Sequence, residues 1–288
     1  MKRKNNLFKE GVTMYKGNRK TRSRSLALLC VALGLLAVAP SLQAEIVLVK
    51  IENIVPENGV YFSPVWMGFH DGSFDLFDVN SLASLAVERI AEDANFVEVM
   101  ADFEVATGDT GGIDGVITSP AGFVGLPVFD PGETSAGVFN LTAEQNRYMN
   151  FASMVVPSND AFIGNDDPVE IFDAEGNFKG KQIITIPGSM VWDAGTELNN
   201  EMDAGFINQT APNTGVTTVD PIMPHPGFID SYGNPGGDPI ILSGINAAGT
   251  LTDPVGADFT LPYAVVARIT IELVPEEEKN PDNDTGSK

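Results

Sequence analysis

Cysteine is nearly missing from this chain: its 288 residues hold one, Cys30, inside the apolar run SLALLCVALGLLAVAP at residues 25 to 40. Beyond that run there is no thiol, which excludes a disulfide framework, a thiolate nucleophile and a thiolate metal site. Histidine is almost as scarce, with only His70 and His225. No HExxH, no GxSxG elbow and no glycine-rich phosphate loop occurs, so metalloprotease, serine-hydrolase and nucleotide-dependent chemistries lack their signatures. A triad assembled from distant positions, or a glycosidase-type carboxylate pair, leaves no such local mark and stays open. Basic residues are also depleted over most of the length. Of 17 Lys and Arg, nine lie before residue 25, leaving eight against 38 Asp and Glu after residue 44. Such a surface repels nucleic acid and anionic lipid and favours solubility and divalent cations, or reflects adaptation to a saline medium.

The early bases, the apolar run and the segment SLQA ending at Ala44 have the order of a secretory signal peptide over residues 1 to 44. Met14 offers an alternative start. The competing reading is an uncleaved anchor, because the run approaches the ~20 residues that span a bilayer. Leu29 stands before Cys30 where a lipoprotein would need a small residue. The expectation is a secreted or periplasmic protein that touches a membrane only through this segment before cleavage. Residues 45 to 274 show no internal repeat and no composition shift, and read as one domain. About 230 residues bury a sufficient core without disulfides. The last fourteen, PEEEKNPDNDTGSK at 275 to 288, are acidic, lack an apolar anchor and are expected to be disordered.

Within the domain, EIVLVKIENIV at 45 to 55 alternates as a strand with Val47, Val49 and Ile51 on one face. GVYFSPVWMGFH at 59 to 70 predicts a second strand, interrupted at Pro64. SLASLAVERIAEDA at 81 to 94 predicts a helix capped by Ser81, with Leu82, Leu85, Ala86 and Ile90 as its apolar stripe. Residues 96 to 130 are glycine-rich and aperiodic apart from short runs such as FVEVMADFEV. Strand-like runs follow in AGVFNLT, RYMNFASMVV, residues 169 to 172, KQIITIPGSMVW and LPYAVVARITIELV, the last at 261 to 274. Short strands separated by Gly and Pro turns, with one inserted helix, predict an all-β sandwich of antiparallel strands.

Two loops gather carboxylates just after apolar runs. In VVPSNDAFIGND, Asp160 follows the turn residues Pro157, Ser158 and Asn159; in VWDAGTELNNE, Asp193 and Glu197 lie four apart around Gly195. Short acidic side chains fixed by strand ends, with free carbonyls beside them, suit a hard cation such as calcium, which takes six to eight oxygen ligands. Two rivals read differently. DAEGNFKG at 173 to 180 fails the EF-hand pattern, since Gly176 is its fourth position and Ile184 stands where the bidentate Glu belongs; it predicts a hairpin turn. HDGSFDLFD, with His70, Asp71, Asp75 and Asp78, predicts a solvated loop ahead of the helix. His225, in MPHPGF, predicts a rigid packed loop rather than a mobile general base.

Several co-linear motifs then carry a resemblance: SPVWMGFHDGSFDLFD (63 to 78), ERIAEDAN (88 to 95), FASMVVPSNDAFIGND (151 to 166), WDAGTELNNE (192 to 201), NTGV (213 to 216), HPGF (225 to 228) and ARITI (267 to 271). Together they resemble the bacterial branch of the spondin-domain proteins over essentially all of residues 45 to 274. The resemblance implies a C2-like antiparallel β-sandwich, as in the matrix protein F-spondin, with Ca2+ held at the loops of one end. It implies Asp160, Asp193 and Glu197 as metal ligands, Glu197 standing where the family pattern has Asp. No catalytic residue is implied. The missing cysteines, and the missing thrombospondin-type repeats that accompany the domain in animals, leave an extracellular or cell-surface partner unnamed. A secreted hydrolase using a carboxylate pair is the alternative.

Overall fold

The first strand and the last strand of the domain lie side by side. The computed structural model describes residues 44–57, 59–119, 128–199, 215–227, 257–261 and 263–274; the expected signal peptide and acidic tail fall outside them. β1 (Glu45–Asn53) turns Val47, Val49 and Ile51 inward, as its alternation requires. It pairs antiparallel with β12 (Val265–Leu273) on one side and β5 (Thr134–Leu141) on the other. β9 (Gln182–Pro187) completes this four-stranded sheet beyond β12, giving the order β5-β1-β12-β9.

The second sheet runs β11 (Met223–Pro224), β10 (Val191–Asp193), β7 (Ala161–Gly164), β6 (Tyr148–Val156), β3 (Val65–His70), β4 (Ile113–Ile117), again antiparallel. β2 (Tyr61–Phe62) and β8 (Val169–Glu170) also pair with β6. The break between β2 and β3 falls at Ser63–Pro64, where Ser63 Oγ accepts from the Met154 amide at 3.0 Å. Proline cannot donate to the ladder, which breaks the strand there, and the Ser63 hydroxyl supplies the acceptor for the Met154 amide.

The two sheets close on a core in which Val49 and Ile271 of the first meet Phe69, Phe151 and Ile163 of the second. Phe69 and Phe139 pack at 4.6 Å between ring centres across the sheets. Each fully buried phenylalanine contributes about 1.5–3 kcal/mol through removal from water. The other face of the second sheet is buried too, under the helices and the 220s segment: Trp66, Phe162 and Trp192 pack there against Val87, Ile90 and Phe103. Sandwiched on both faces, β3 and β6 are almost wholly buried, which is why they read as continuous apolar runs rather than alternating ones.

The sandwich is as expected, but its helical part is larger. α1 (Leu85–Asp93) starts later than predicted, with Ser84 rather than Ser81 as its cap; Ser84 Oγ accepts from the Val87 amide at 3.2 Å. The buried stripe is Ala86, Val87, Ile90 and Ala91, while Leu82 and Leu85 are exposed. Leu82 precedes the helix and bridges to Pro221, so helical spacing never applied to it. The run FVEVMADFEV, which stands out from an otherwise aperiodic stretch but does not itself predict a helix, forms most of a second one, α2 (Val97–Thr107). It buries only Val99, Phe103 and Thr107, four residues apart, and leaves Val97, Met100 and Val105 exposed, which disguises its period. Gly68 lets it approach: a Cβ there would sit 2.6 Å from the Trp66 ring and 2.7 Å from that of Phe103. Residues 173 to 180 form a tight turn closed by the Phe172–Phe178 bridge. It is not a hairpin between adjacent strands, because β8 belongs to one sheet and β9 to the other.

Candidate metal centre

The turn from β6 into β7 is sealed by Ser158, whose hydroxyl donates to the Val155 carbonyl at 2.6 Å and accepts from the Ala161 amide at 3.0 Å. That turn buries Ser158, Asn159 and Asp160 almost completely. β10 pairs beside it with Asp193 opposite Ala161, and the Ala194 amide donates to the Asp160 carbonyl at 3.1 Å, so the sheet register itself brings Asp160 and Asp193 together.

Asp160 Oδ2 organises the next loop. It accepts from the Thr196 amide at 2.8 Å, the Glu197 amide at 3.0 Å and the Thr196 hydroxyl at 3.3 Å. Oδ1 of the same carboxylate is buried and has no hydrogen-bond partner. Asp193 Oδ1 accepts from the Gly195 amide at 2.7 Å, and its other oxygen accepts from the Asn199 side chain. Gly195 takes φ +71°, a region that favours glycine, and a Cβ there would lie 2.3 Å from the Asp220 carbonyl oxygen. The loop is then stitched to residues 215 to 220 by Leu198–Val216, Thr218–Thr196 and Asp220–Gly195 backbone bonds of 2.7–2.9 Å. Glu197, only 4 % exposed, accepts from the Gly215 amide at 3.1 Å through Oε1 and from Asn159.

A residue not foreseen from the sequence joins this group. Glu92, on α1, is 4 % exposed and bonds to Thr196, whose single hydroxyl proton lies within reach of both Glu92 and Asp160. The signal for it was a glutamate one position past the buried Ile90–Ala91 pair of a helix whose other side is solvated. Burial, then the neighbouring negative charges, push the carboxyls of Glu92, Asp160 and Glu197 each up to about 7. Burial also raises Asp193, with Asp220 adding to it. The nearby base, Arg89, lies 3.5 Å from Asp93 and 3.7 Å from Glu88.

The donor set is all oxygen, and Asp160 Oδ1 is a buried acceptor without a donor, which fits a hard cation. As they stand, Asp193 and Glu197 spend their oxygens on amides. Among the described residues no group of three or more His, Cys, Asp or Glu is gathered closely enough to hold a metal ion. Coordination by all three predicted ligands therefore needs a side-chain rotation toward Asp160.

The two histidines and the acidic loop at His70 stand in other settings. His70 is buried, with Nε2 2.9 Å from Asn150 Oδ1 and Nδ1 accepting from the Gly72 amide, while Asp71, Asp75 and Asp78 are exposed. His225 is buried, accepts from the Gly227 amide at 3.0 Å through Nδ1, and stacks edge-on to Phe259; burial holds it down to about 3, a neutral packed ring.

Compared with known proteins, residues 53–227 match the family model described as Spondin_N, a span that contains Glu92, Asp160, Asp193 and Glu197. No curated protein matches the chain.

Proposed function

The chain belongs to the Spondin_N family, and from that premise we propose that it is a secreted or periplasmic, non-enzymatic calcium-binding module whose ion orders the loops at one end of the sandwich. The observation that carries the reading is Asp160 Oδ1, a buried carboxylate oxygen with no donor, set among Glu92, Asp193 and Glu197. Buried carboxyls that repel one another with little counter-charge are unfavourable as anions, and a divalent cation relieves both their repulsion and their desolvation. Asp160 would hold the ion from the β6–β7 turn, and Asp193 and Glu197 from the loop after β10. The ion would supply charge neutralisation and a rigid cross-link between those two loops. An extracellular place accords with the family, and no helix among the described residues is long and apolar enough to cross a membrane.

The test is a melting curve in calcium against one in EGTA, with elemental analysis of the purified protein. A calcium-dependent rise in the midpoint, with about one ion recovered per chain, supports the reading; identical curves and no bound calcium sink it. One observation favours the hydrolase alternative: Glu92 and Glu197, both near 7, line the same open cleft. A screen on polysaccharide and ester substrates, with loss of any activity in Glu92→Gln, distinguishes the two.

A further inference from the structure

Beside the metal centre lies a cleft of about 260 Å³, between α1 with the segment before it and residues 195 to 197 and 217 to 220. That is smaller than the ~300–1,000 Å³ of sites for drug-sized ligands, and of a size for a single side chain. Its interior is polar and acidic: buried Glu92 and Glu197 with half-buried Glu88, Thr196 and Thr218, and the more exposed Thr217 and Asp220. Its one base, Arg89, is committed to Glu88 and Asp93, whereas Glu92 forms no ion pair among the described residues.

The rim is the opposite in character. Leu82 is 60 % exposed and Val219 76 %, and both line the cleft, on segments joined by the Leu82–Pro221 bridge. Leu85, Leu198, Val216 and Met223 do not line the cleft, but lie within three residues of its lining along the chain and are exposed too. Six of the thirteen exposed large apolar side chains among the described residues thus lie in the lining of one opening or within three residues of it along the chain. Grouped exposure of that kind marks a contact surface rather than scattered surface chemistry.

An acidic floor under an aliphatic rim is the complement of a positive head on a hydrocarbon stem. We infer that the cleft docks a partner protein by seating one of its lysine or arginine side chains, the methylenes between Leu82 and Val219 and the cationic head on Glu92, with the partner's apolar flank covering the rim. Charge complementarity favours this occupant over a second copy: the chain has eight Lys and Arg beyond residue 44 against 38 acids. The inference goes beyond the calcium reading and turns on Glu92, Leu82 and Val219, none of which is a predicted ligand.

The probe is a labelled peptide, acetyl-Gly-Leu-Lys-Leu-Gly-amide, titrated by fluorescence anisotropy against the whole chain in calcium, beside its arginine and norleucine versions. The lysine and arginine peptides are expected to bind, and the norleucine peptide to bind on the order of tenfold more weakly. Glu92→Gln should lose a similar factor, and Val219→Ser, a solvent-facing change that leaves the buried residues in place, should also weaken binding. Asp173→Asn, which removes one remote negative charge, should leave it unchanged. No binding at millimolar peptide, equal binding of norleucine, or equal weakening by Asp173→Asn overturns the inference. A calcium-dependent melting shift that persists in Val219→Ser, a residue outside the metal centre, shows that a failure here belongs to the docking site and not to the metal centre.

Discussion

Asp160 has two oxygens with different duties. Oδ2 holds the 195–197 loop through two amides and a hydroxyl, while Oδ1 lies buried without a donor. Asparagine at this position can keep the first duty, its carbonyl oxygen taking the amides, and its NH2 group then stands where Oδ1 was. Asp160→Asn is therefore expected to keep the fold and lose the calcium-dependent rise in melting midpoint. The same carboxyls set a pH dependence. Glu92, Asp160 and Glu197 are raised in the fold from ordinary values of 4.5, 3.8 and 4.5 to about 7, so the unfolded chain releases these protons at lower pH than the folded one. Calcium-free protein should be most stable below about pH 4, lose stability as pH climbs to about 7, and change little above; melting midpoints in EGTA across that range check the sign. A midpoint that rises with pH over the same window would contradict it. At this scale the sequence was informative but incomplete. The Pro-Ser-Asn turn pointed to Asp160 and Gly195 to the bend after Asp193, yet the contact between Glu92 and Thr196, far apart along the chain, left no local pattern to read.

Among elements, the strands were legible where one face is buried and the other wet, as in β1, and also where both are buried, as in β3 and β6. α2 was not, because valines at 97 and 105 face solvent while Val99 and Phe103 face the sheet, so the hydrophobic pattern has no single stripe. What fixes α2 is tertiary: Phe103 sits against Trp66 and Phe74 at 5.6 and 5.1 Å between ring centres, over the gap left by Gly68. Gly68→Ala forces a methyl into both rings, neither of which is free to move away. Urea unfolding should show a loss of about 1–3 kcal/mol, with the near-ultraviolet signal of Trp66 altered. An unchanged midpoint would mean that α2 is not held by this contact.

For the molecule as a whole, the acidic balance is a property of the exterior. Burial of the large side chains is conventional, and the formal net charge of −22 is carried with few compensating bases. Self-repulsion of that size opposes the compact state, and salt screens it over a Debye length of about 8–10 Å at physiological ionic strength. The melting midpoint in EGTA should therefore rise as sodium chloride is raised to about 0.5 M; a falling midpoint would point to stabilising ion pairs instead. The composition made this legible. Topology was not: nothing local in LPYAVVARITIELV says that β12 lies between β1 and β9.

That placement has a consequence in time. β12 supplies the seam between β1 and β9, two strands that share no ladder with each other. A ribosome that has delivered every residue up to 264 has delivered a first sheet in two disconnected parts, with the inner edge of β1 open. Closure must wait for the last strand, and the contacts that close it span more than two hundred residues, the kind of long loop that makes folding slow. A chain built this way leaves the inner edge of β1 open for as long as β12 is withheld.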